Sequence, residues 1–547
     1  MSARRVSALL LALALAACGS SGSSTPAKGA ADGGDAATTD AHAGATIEAG
    51  AADAPSVTHP APPGPGAVLV HLFEWRWTDI AKECEAYLGP AGFTGVQVSP
   101  PSEHAVLARF PWWQRYQTVS YALDESRSGT AAEFRDMIQR CAAAGVAIYV
   151  DAVINHMTAQ ASGTGSHGSH FTKYAYPGLY DATDFHTPTC AIGDGDYQSA
   201  PDRVRRCELL GLADLDTGKD AVRARIADYL AALVELGVAG FRVDAAKHIA
   251  PVDLDAIVRA VSDRVGAGVR PYYYLEVIDH GGEAIRSSDY LAVGQDTPAK
   301  VDVIEFKFDA VADAFAGLDG RSVAGLRALD TSAGLLPSDR ALVFVNNHDT
   351  QRASSLYYQY GAAYDLATLF LLAWPYGTPQ ILSSFAFDRG TAAGRDQGPP
   401  SDAAGHTRPV WAPGAATPDC RDDLTLPAQP AGQWLCEHRR PFIARMIAFR
   451  RATLGAPVTQ EWDDGGDALA FAREGKGFVV INNGASTVHR TFATSLPAGS
   501  YCDVYGGAPS VTGCTASTIV VAADGTADVT AAAGTAFALH VNALAGQ

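Results

Sequence analysis

From residue 67 onward the hydrophobic positions of the chain fall into two alternating rhythms. Eight apolar runs stand at Ala67–Glu74, Gly92–Ser99, Val146–Val153, 238–244, 272–278, 301–308, 341–347 and 379–385. Dense runs of this kind, best seen in Val146–Val153, are the mark of strands buried on both faces. Helical patterns stand between them. Asp79–Leu88 is one, and a second opens at Thr130-Ala131-Ala132-Glu133, a capping box, with Phe134, Met137, Ile138 and Cys141 following at i, i+3, i+4 and i+7 before Gly145. Val222, Ile226, Tyr229, Leu230 and Leu233 share another helical face, and Pro441–Arg451 forms the last helix. Repeated strand–helix alternation predicts an α/β fold, a (β/α)8 TIM barrel. Between the third and fourth runs, residues 157–213 break the rhythm with Gly, Ser, His and Tyr, which predicts an excursion domain after strand 3. Beyond about 455 the runs become short and alternating (Ala468–Ala472, Gly477–Ile481, Thr491–Ala493, Thr518–Val521, Ala536–Val541), the pattern of an antiparallel β-sandwich. The expected partition is therefore a barrel from 67–156 and 214–452, the excursion domain at 157–213, and a C-terminal sandwich at 453–547.

The N-terminus follows different rules. Arg4 and Arg5 precede an apolar run, Ser7 to Ala17, that is too short to span a bilayer. Residues 1–18 read as a signal peptide. Its end, Leu15-Ala16-Ala17-Cys18-Gly19, resembles a bacterial lipobox, in which Cys18 would be lipidated. Residues 19–66 are Ala, Gly, Ser, Thr, Asp and Pro with almost no large apolar side chains, so they cannot bury a core and are expected to form a disordered tether. Export to the cell surface or outer membrane as a lipoprotein is expected, with membrane contact only through the lipid; secretion is the alternative. Eight further cysteines, an even number in an exported chain, point to disulfides, and sequence leaves 105 pairings open. A formal charge of −18 argues against a nucleic-acid partner, which requires a basic surface. A monomer is the expected state.

The candidate chemistry sits at the ends of the apolar runs. Arg242 and Asp244, two apart in Gly-Phe-Arg-Val-Asp-Ala-Ala-Lys-His (240–248), point to one face of a strand, where the cation should favour an ionised Asp244. Glu276 closes Tyr-Tyr-Tyr-Leu-Glu (272–276), and Asp349 closes Val-Phe-Val-Asn-Asn-His-Asp (343–349). Three strand-end carboxylates converge only if parallel strands share a rim, which is where a barrel places its active site. Trp112, Trp113 and Tyr116 offer rigid aromatic faces suited to stacking on sugar rings.

Six separated segments carry a resemblance to the alpha-amylase family, in particular to its animal-type members and their bacterial relatives. They are His71–Trp77, Gly95–Pro101, Asp151–Met157, Gly240–His248, Glu276–Asp279 and Asn346–Asp349. The resemblance implies a retaining glycosidase that cuts α-1,4-glucans such as starch and glycogen internally. Asp244 would be the nucleophile. Glu276 would be the acid/base, with a raised pKa that apolar neighbours would favour. Asp349 would be the third carboxylate, and His156, His348, Arg242 and Lys247 substrate-binding residues. The resemblance also implies a calcium site from Asn155, Arg205, Asp214 and His248, the second and fourth through backbone carbonyls. By family spacing the disulfides would be Cys84–Cys141, Cys190–Cys207, Cys420–Cys436 and Cys502–Cys514. One departure concerns the chloride that animal-type members hold with two arginines and an asparagine. Arg242 and Asn347 match, but Gln380 stands at the second arginine, so no tight chloride site is expected. The competing readings are an exo-acting or glucan-transferring barrel relative and a surface protein that binds glucan without cutting it. The presence of Glu276, which a pure binder does not need, favours the hydrolase.

Overall fold

The computed structural model describes residues 59–353, 356–421 and 432–546. The signal peptide with Cys18 lies outside the described residues, as does most of the tether. Among the described residues no helix is long and apolar enough to cross a membrane.

The eight apolar runs pair as a closed parallel barrel: β1 (Leu69–Leu72), β2 (Gly95–Val98), β3 (Ala147–Ala152), β4 (Gly240–Val243), β5 (Tyr272–Leu275), β6 (Lys300–Ile304), β7 (Ala341–Val343) and β8 (Thr378–Ser383). Spatial order follows chain order, and β8 closes on β1 with Leu69 opposite Gln380. The strands read as unbroken apolar runs because both faces are covered. Phe241, Val243, Tyr273 and Leu275 pack outward against the helices. Leu69, Tyr149, Tyr272, Tyr274, Ile304 and Leu342 fill the interior as a separate cluster. Register fixes which side chains point inward: Asp151 stands opposite Arg242, and Arg242 opposite Tyr274. Gly240 opens β4 because a Cβ there would lie 1.8 Å from Tyr272 O.

Helices α1 (Trp77–Glu83), α2 (Ala131–Ala143), α3 (Asp220–Glu235), α4 (Pro251–Val265), α5 (Ala310–Phe315), α6 (Ala362–Ala373) and α7 (Pro441–Ala452) cover the barrel, with shorter turns between them. The capping box at the start of α2 is formed on both sides, Thr130 accepting from Glu133 N–H and Glu133 from Thr130 N–H, and α2 buries the Phe134, Met137, Ile138 and Cys141 face. An irregular excursion between β3 and β4 carries a short hairpin (Ser162–Thr164 with His170–Thr172) and short helices at Asp196–Ser199 and Pro201–Arg206. The C-terminal region is two four-stranded antiparallel sheets. One runs β9 (Val458–Asp463), β10 (Ala468–Arg473), β11 (Gly477–Asn482) and β16 (Thr535–His540); the other runs β12 (Val488–Ala493), β15 (Thr526–Ala531), β14 (Thr518–Val521) and β13 (Gly499–Cys502). Their facing side chains, among them Phe478, Val480, Phe492 and Val529, form their own core. The sequence pattern misses β9, β13 and β15. Val458–Asp463 and Gly499–Cys502 are short or partly exposed, and Thr526–Ala531 alternates Thr, Ala, Asp and Val too weakly to stand out. The four disulfides are the pairs the family spacing implies.

Candidate active site

The C-terminal ends of the barrel strands open into one cleft. Asp244, Glu276 and Asp349 line it together with Trp112, Trp113, Tyr116, His156, Lys247, His248 and His348. At its floor lies the buried guanidinium of Arg242. Its Nη1 donates to Asp151 Oδ1 at 2.6 Å and to Asp244 Oδ1 at 2.9 Å, and its Nη2 donates to Glu276 Oε1. Asp151 is completed by Tyr116 Oη (2.9 Å) and Gln97 Nε2 (3.2 Å), which makes it the anchor of Arg242. Glu276 Oε2 accepts from Ala245 N–H at 2.9 Å. Both oxygens of this carboxyl are therefore held by donors from the protein.

The electrostatics depart from the simple expectation for Asp244. Burial, not Arg242, dominates, and it pushes Asp244 well above the usual carboxylate range, with the charges of Glu276, Asp151 and Asp349 adding to it. Arg242 opposes this but is shared among three carboxylates, so it cannot hold Asp244 down alone. Burial likewise raises Asp151 and lifts Asp349 to about 7. Arg242 and, at Asp349, Arg352 do not offset the burial of these groups. Asp151, Asp244 and Asp349 therefore retain protons that a single exposed carboxylate would lose.

The histidines are held neutral. Burial lowers His156 to about 4, and its Nε2 contacts Tyr116 O at 3.1 Å. His348, lowered by burial and then by Arg242, stacks on Tyr116 with centroids 5.3 Å apart, and its Nε2 lies 3.2 Å from Asp349 Oδ2. The two tryptophans divide. Trp112 is buried and donates from Nε1 to Arg395 O at 2.9 Å, whereas Trp113 is half-buried at the cleft wall. Lys247 is not a free ammonium: it pairs with Glu283 and lies 5.1 Å over the Tyr197 ring. Sequence reasoning missed the cleft wall made by Tyr197, Leu209, Leu210, Leu212, Ile278, His280 and Glu283. The first four belong to the excursion, whose lack of rhythm hides their placement. Ile278, His280 and Glu283 follow Glu276 closely, and that proximity was the available signal.

Among the described residues no three His, Cys, Asp or Glu side chains cluster as a metal site. The set implied for calcium has a different chemistry, one carboxylate, one amide and two backbone carbonyls, and the fold gathers it. His156 bridges to Asp214 through the backbone, Asn155 Nδ2 lies 3.4 Å from Asp214 Oδ1, and Val204 O meets His248 Nδ1 at 2.9 Å, which brings Arg205 alongside. Burial raises Asp214 to about 6 despite His186 at 2.6 Å, so the site lacks positive charge that a cation would supply. An oxygen donor set at a charge-deficient carboxylate fits calcium. At the position considered for chloride, Gln380 Nε2 donates to Gln97 Oε1 at 3.0 Å, as does Tyr274 Oη at 3.0 Å, while Asn347 Oδ1 caps the turn at Asp349 and Thr350.

Residues 86–263 match the alpha amylase catalytic domain, and residues 462–542 match the alpha amylase C-terminal all-beta domain. An alpha-amylase of Tribolium castaneum is 44% identical over 492 residues, covering 87% of this chain and 94% of its own length. Alpha-amylase 1B of Homo sapiens is 43% identical over 486 residues, covering 84% of this chain and 91% of its own. Among solved structures, a mutant of alpha-amylase I from Eisenia fetida in complex with maltohexaose superposes with a TM-score of 0.76 at 38% identity, covering 87% of this chain and 98% of that one.

Proposed function

The chain belongs to the alpha-amylase family, and we propose how its cleft cuts α-1,4-glucosidic bonds of starch, glycogen and related glucans. The observation that carries the reading is the convergence of Asp244, Glu276 and Asp349 on one cleft at the barrel rim, the first two bound to the same guanidinium. In the first half-reaction Asp244 attacks the anomeric carbon, the bond from that carbon to the glycosidic oxygen breaks, Glu276 gives its proton to that oxygen so that the leaving chain departs with a free hydroxyl, and a glycosyl ester forms on Asp244. In the second, Glu276, now the anion, takes a proton from water, which attacks the same carbon and releases Asp244; two inversions retain configuration. Arg242 donates to Asp244 and thereby favours its anion, the form that attacks. Asp349, beside neutral His348, is set to bind sugar hydroxyls and to favour a distorted ring. Trp113 and Tyr116 supply stacking faces.

Calcium, held by Asn155 and Asp214 side chains with Arg205 and His248 carbonyls, would join the excursion to the barrel beside the cleft and hold the loop bearing His156. The neutral Gln380 side chain leaves no second cation for chloride, so activity should be independent of it. Disulfides fit export, and the cleavage and lipidation read at Cys18 would leave the enzyme tethered outside the cell membrane. A mature chain labelled by fatty acid only when Cys18 is present supports the tether; equal labelling of Cys18→Ser removes it.

The reading as a whole is tested by reducing-end release from soluble starch in calcium buffer, with Glu276→Gln as control. Release by the parent and a loss of about 10²–10⁴-fold or more in the variant support it. A parent that retards on a starch gel but releases nothing would instead favour the glucan-binding alternative.

A further inference from the structure

His280 follows Glu276 closely in the chain, on the loop after β5, and lines the same cleft as Asp244 and Glu276. It is held there from behind. Asp309 Oδ2, just before α5, lies 3.1 Å from His280 Nδ1, and the edge of the ring meets Phe306 at 6.0 Å with an interplanar angle of 77°. These two contacts fix the imidazole and commit Nδ1 to the protein side, which leaves Nε2 as the ring nitrogen that a molecule in the cleft can reach. The other charged groups around it are paired: Glu283 with Lys247, and Asp279 with Lys307 at 3.2 Å. A rigid, half-buried donor with its outer nitrogen turned to a cleft is the kind of group that recognises a hydroxyl.

We propose that His280 is a substrate contact, its Nε2 hydrogen-bonding a hydroxyl of the α-glucan where the chain passes the loop 279–283. The inference rests on the glucanase reading. Burial disfavours the charged ring, but the hydrogen bond and charge of Asp309, with Glu283 adding and Lys247 opposing, raise His280 above its ordinary value. The imidazolium therefore persists toward neutral pH and donates from Nε2; the neutral ring, with Nδ1 facing Asp309, accepts there instead. Affinity for glucan should follow this change of role.

The test uses maltoheptaose binding by calorimetry in the Glu276→Gln background, and KM and kcat in the active enzyme, for His280→Ala and His280→Gln between pH 5 and 8. Loss of one hydrogen bond predicts roughly five- to tenfold weaker binding and a matching rise in KM for His280→Ala, with the loss falling on KM and not on kcat. His280→Gln, which can still donate, should recover most of the affinity and flatten its pH dependence. Unchanged binding in His280→Ala, or kcat and Tm falling together with no rescue by Gln, would overturn the contact. Because binding is read without turnover, failure of the contact and failure of the hydrolase reading are separable: a parent that binds maltoheptaose but never cuts it leaves the His280 result interpretable.

Discussion

Two buried ionic clusters sit on the same barrel and are built in opposite ways. In the cleft, one guanidinium faces Asp151, Asp244, Glu276 and, further off, Asp349. At the other, Glu83 at the end of α1 accepts from Arg439 Nε (2.6 Å) and Nη2 (2.9 Å), meets His438 Nε2 at 2.9 Å and takes Trp411 Nε1–H at 3.2 Å, while His438 Nδ1 reaches Ser383 Oγ on β8 at 2.9 Å. The Ser383–His438–Glu83 chain has the connectivity of a nucleophilic triad, but His438 and Glu83 are fully enclosed. Here the Glu83 carboxylate is oversupplied with donors, while Ser383 Oγ also donates to a second buried carboxyl, Glu437, at 3.2 Å, and the cluster joins α1, β8 and the segment before α7. The cleft has the reverse imbalance: too many acids for its cation. Such a site is poorly stabilised when empty and responds strongly to protons and to ligand. The difference separates structural from chemical use of the same residue types more clearly than residue identity does.

The contrast is tested most severely at the two carboxyls proposed to react. Asp244→Asn or Glu276→Gln should reduce kcat by about 10²–10⁴-fold or more while thermal stability holds or rises, because each change removes a charge from an overcrowded acid set. Loss of activity accompanied by unfolding in circular dichroism would contradict the assignment of imbalance to the cleft. Glu83→Gln should do the opposite. It leaves Arg439 and His438 without their carboxylate and is expected to cost about 3 kcal/mol in denaturant unfolding, toward the lower end for a buried pair because Arg439 is partly exposed, with kcat per folded molecule unchanged.

Removal of the proposed calcium comes next in size. Chelation should lower Tm, and at metal concentrations near 100-fold above Kd the stabilisation lost is about 2.7 kcal/mol. Asp214→Asn should show little further response to chelator, and equal Tm shifts in parent and variant would refute the assigned ligands.

The smallest effect lies in pH dependence, and its sign distinguishes the clusters. Asp349 is raised to about 7, so its contribution to stability is fully present below its unfolded value near 3.8 and is lost as pH rises through about 7. Asp349→Asn should therefore gain stability over the parent at pH 8 and much less at pH 4. Burial works to raise Glu83, but His438 and Arg439 overcome it and hold it below its ordinary 4.5; its contribution is present above that value and lost as pH falls through the lower folded one. The deficit of Glu83→Gln should thus shrink only in acid. Parallel pH profiles for the two variants would erase the distinction.

Much of the cleft was legible in the chain alone. The Val146–Val153 run, the capping box at Thr130 and the strand-end positions of Asp244, Glu276 and Asp349 are local signals, and local periodicity is what decides element type and inward or outward parity. Arg242 and Asp244, two apart on β4, had to share a face whatever else the chain did. The Glu83 cluster was not legible: Glu83 and His438 are 355 positions apart, and neither stands in a motif that marks a partner. Tyr197 and the leucines at 209, 210 and 212 were hidden for a similar reason, because an irregular excursion carries no period from which orientation can be read.

The order of the barrel strands and their helices, the parity of their side chains and the strand-end positions of the three acids were written in the amino-acid sequence, since each depends on spacing within a few residues. How Arg242 is divided among its carboxylates, that burial outweighs it at Asp244, that Lys247 is already paired, and that His280 faces the cleft with Asp309 behind it were settled only by the folded molecule. Those outcomes depend on desolvation and on distances between remote segments, and both come into being only when the barrel closes.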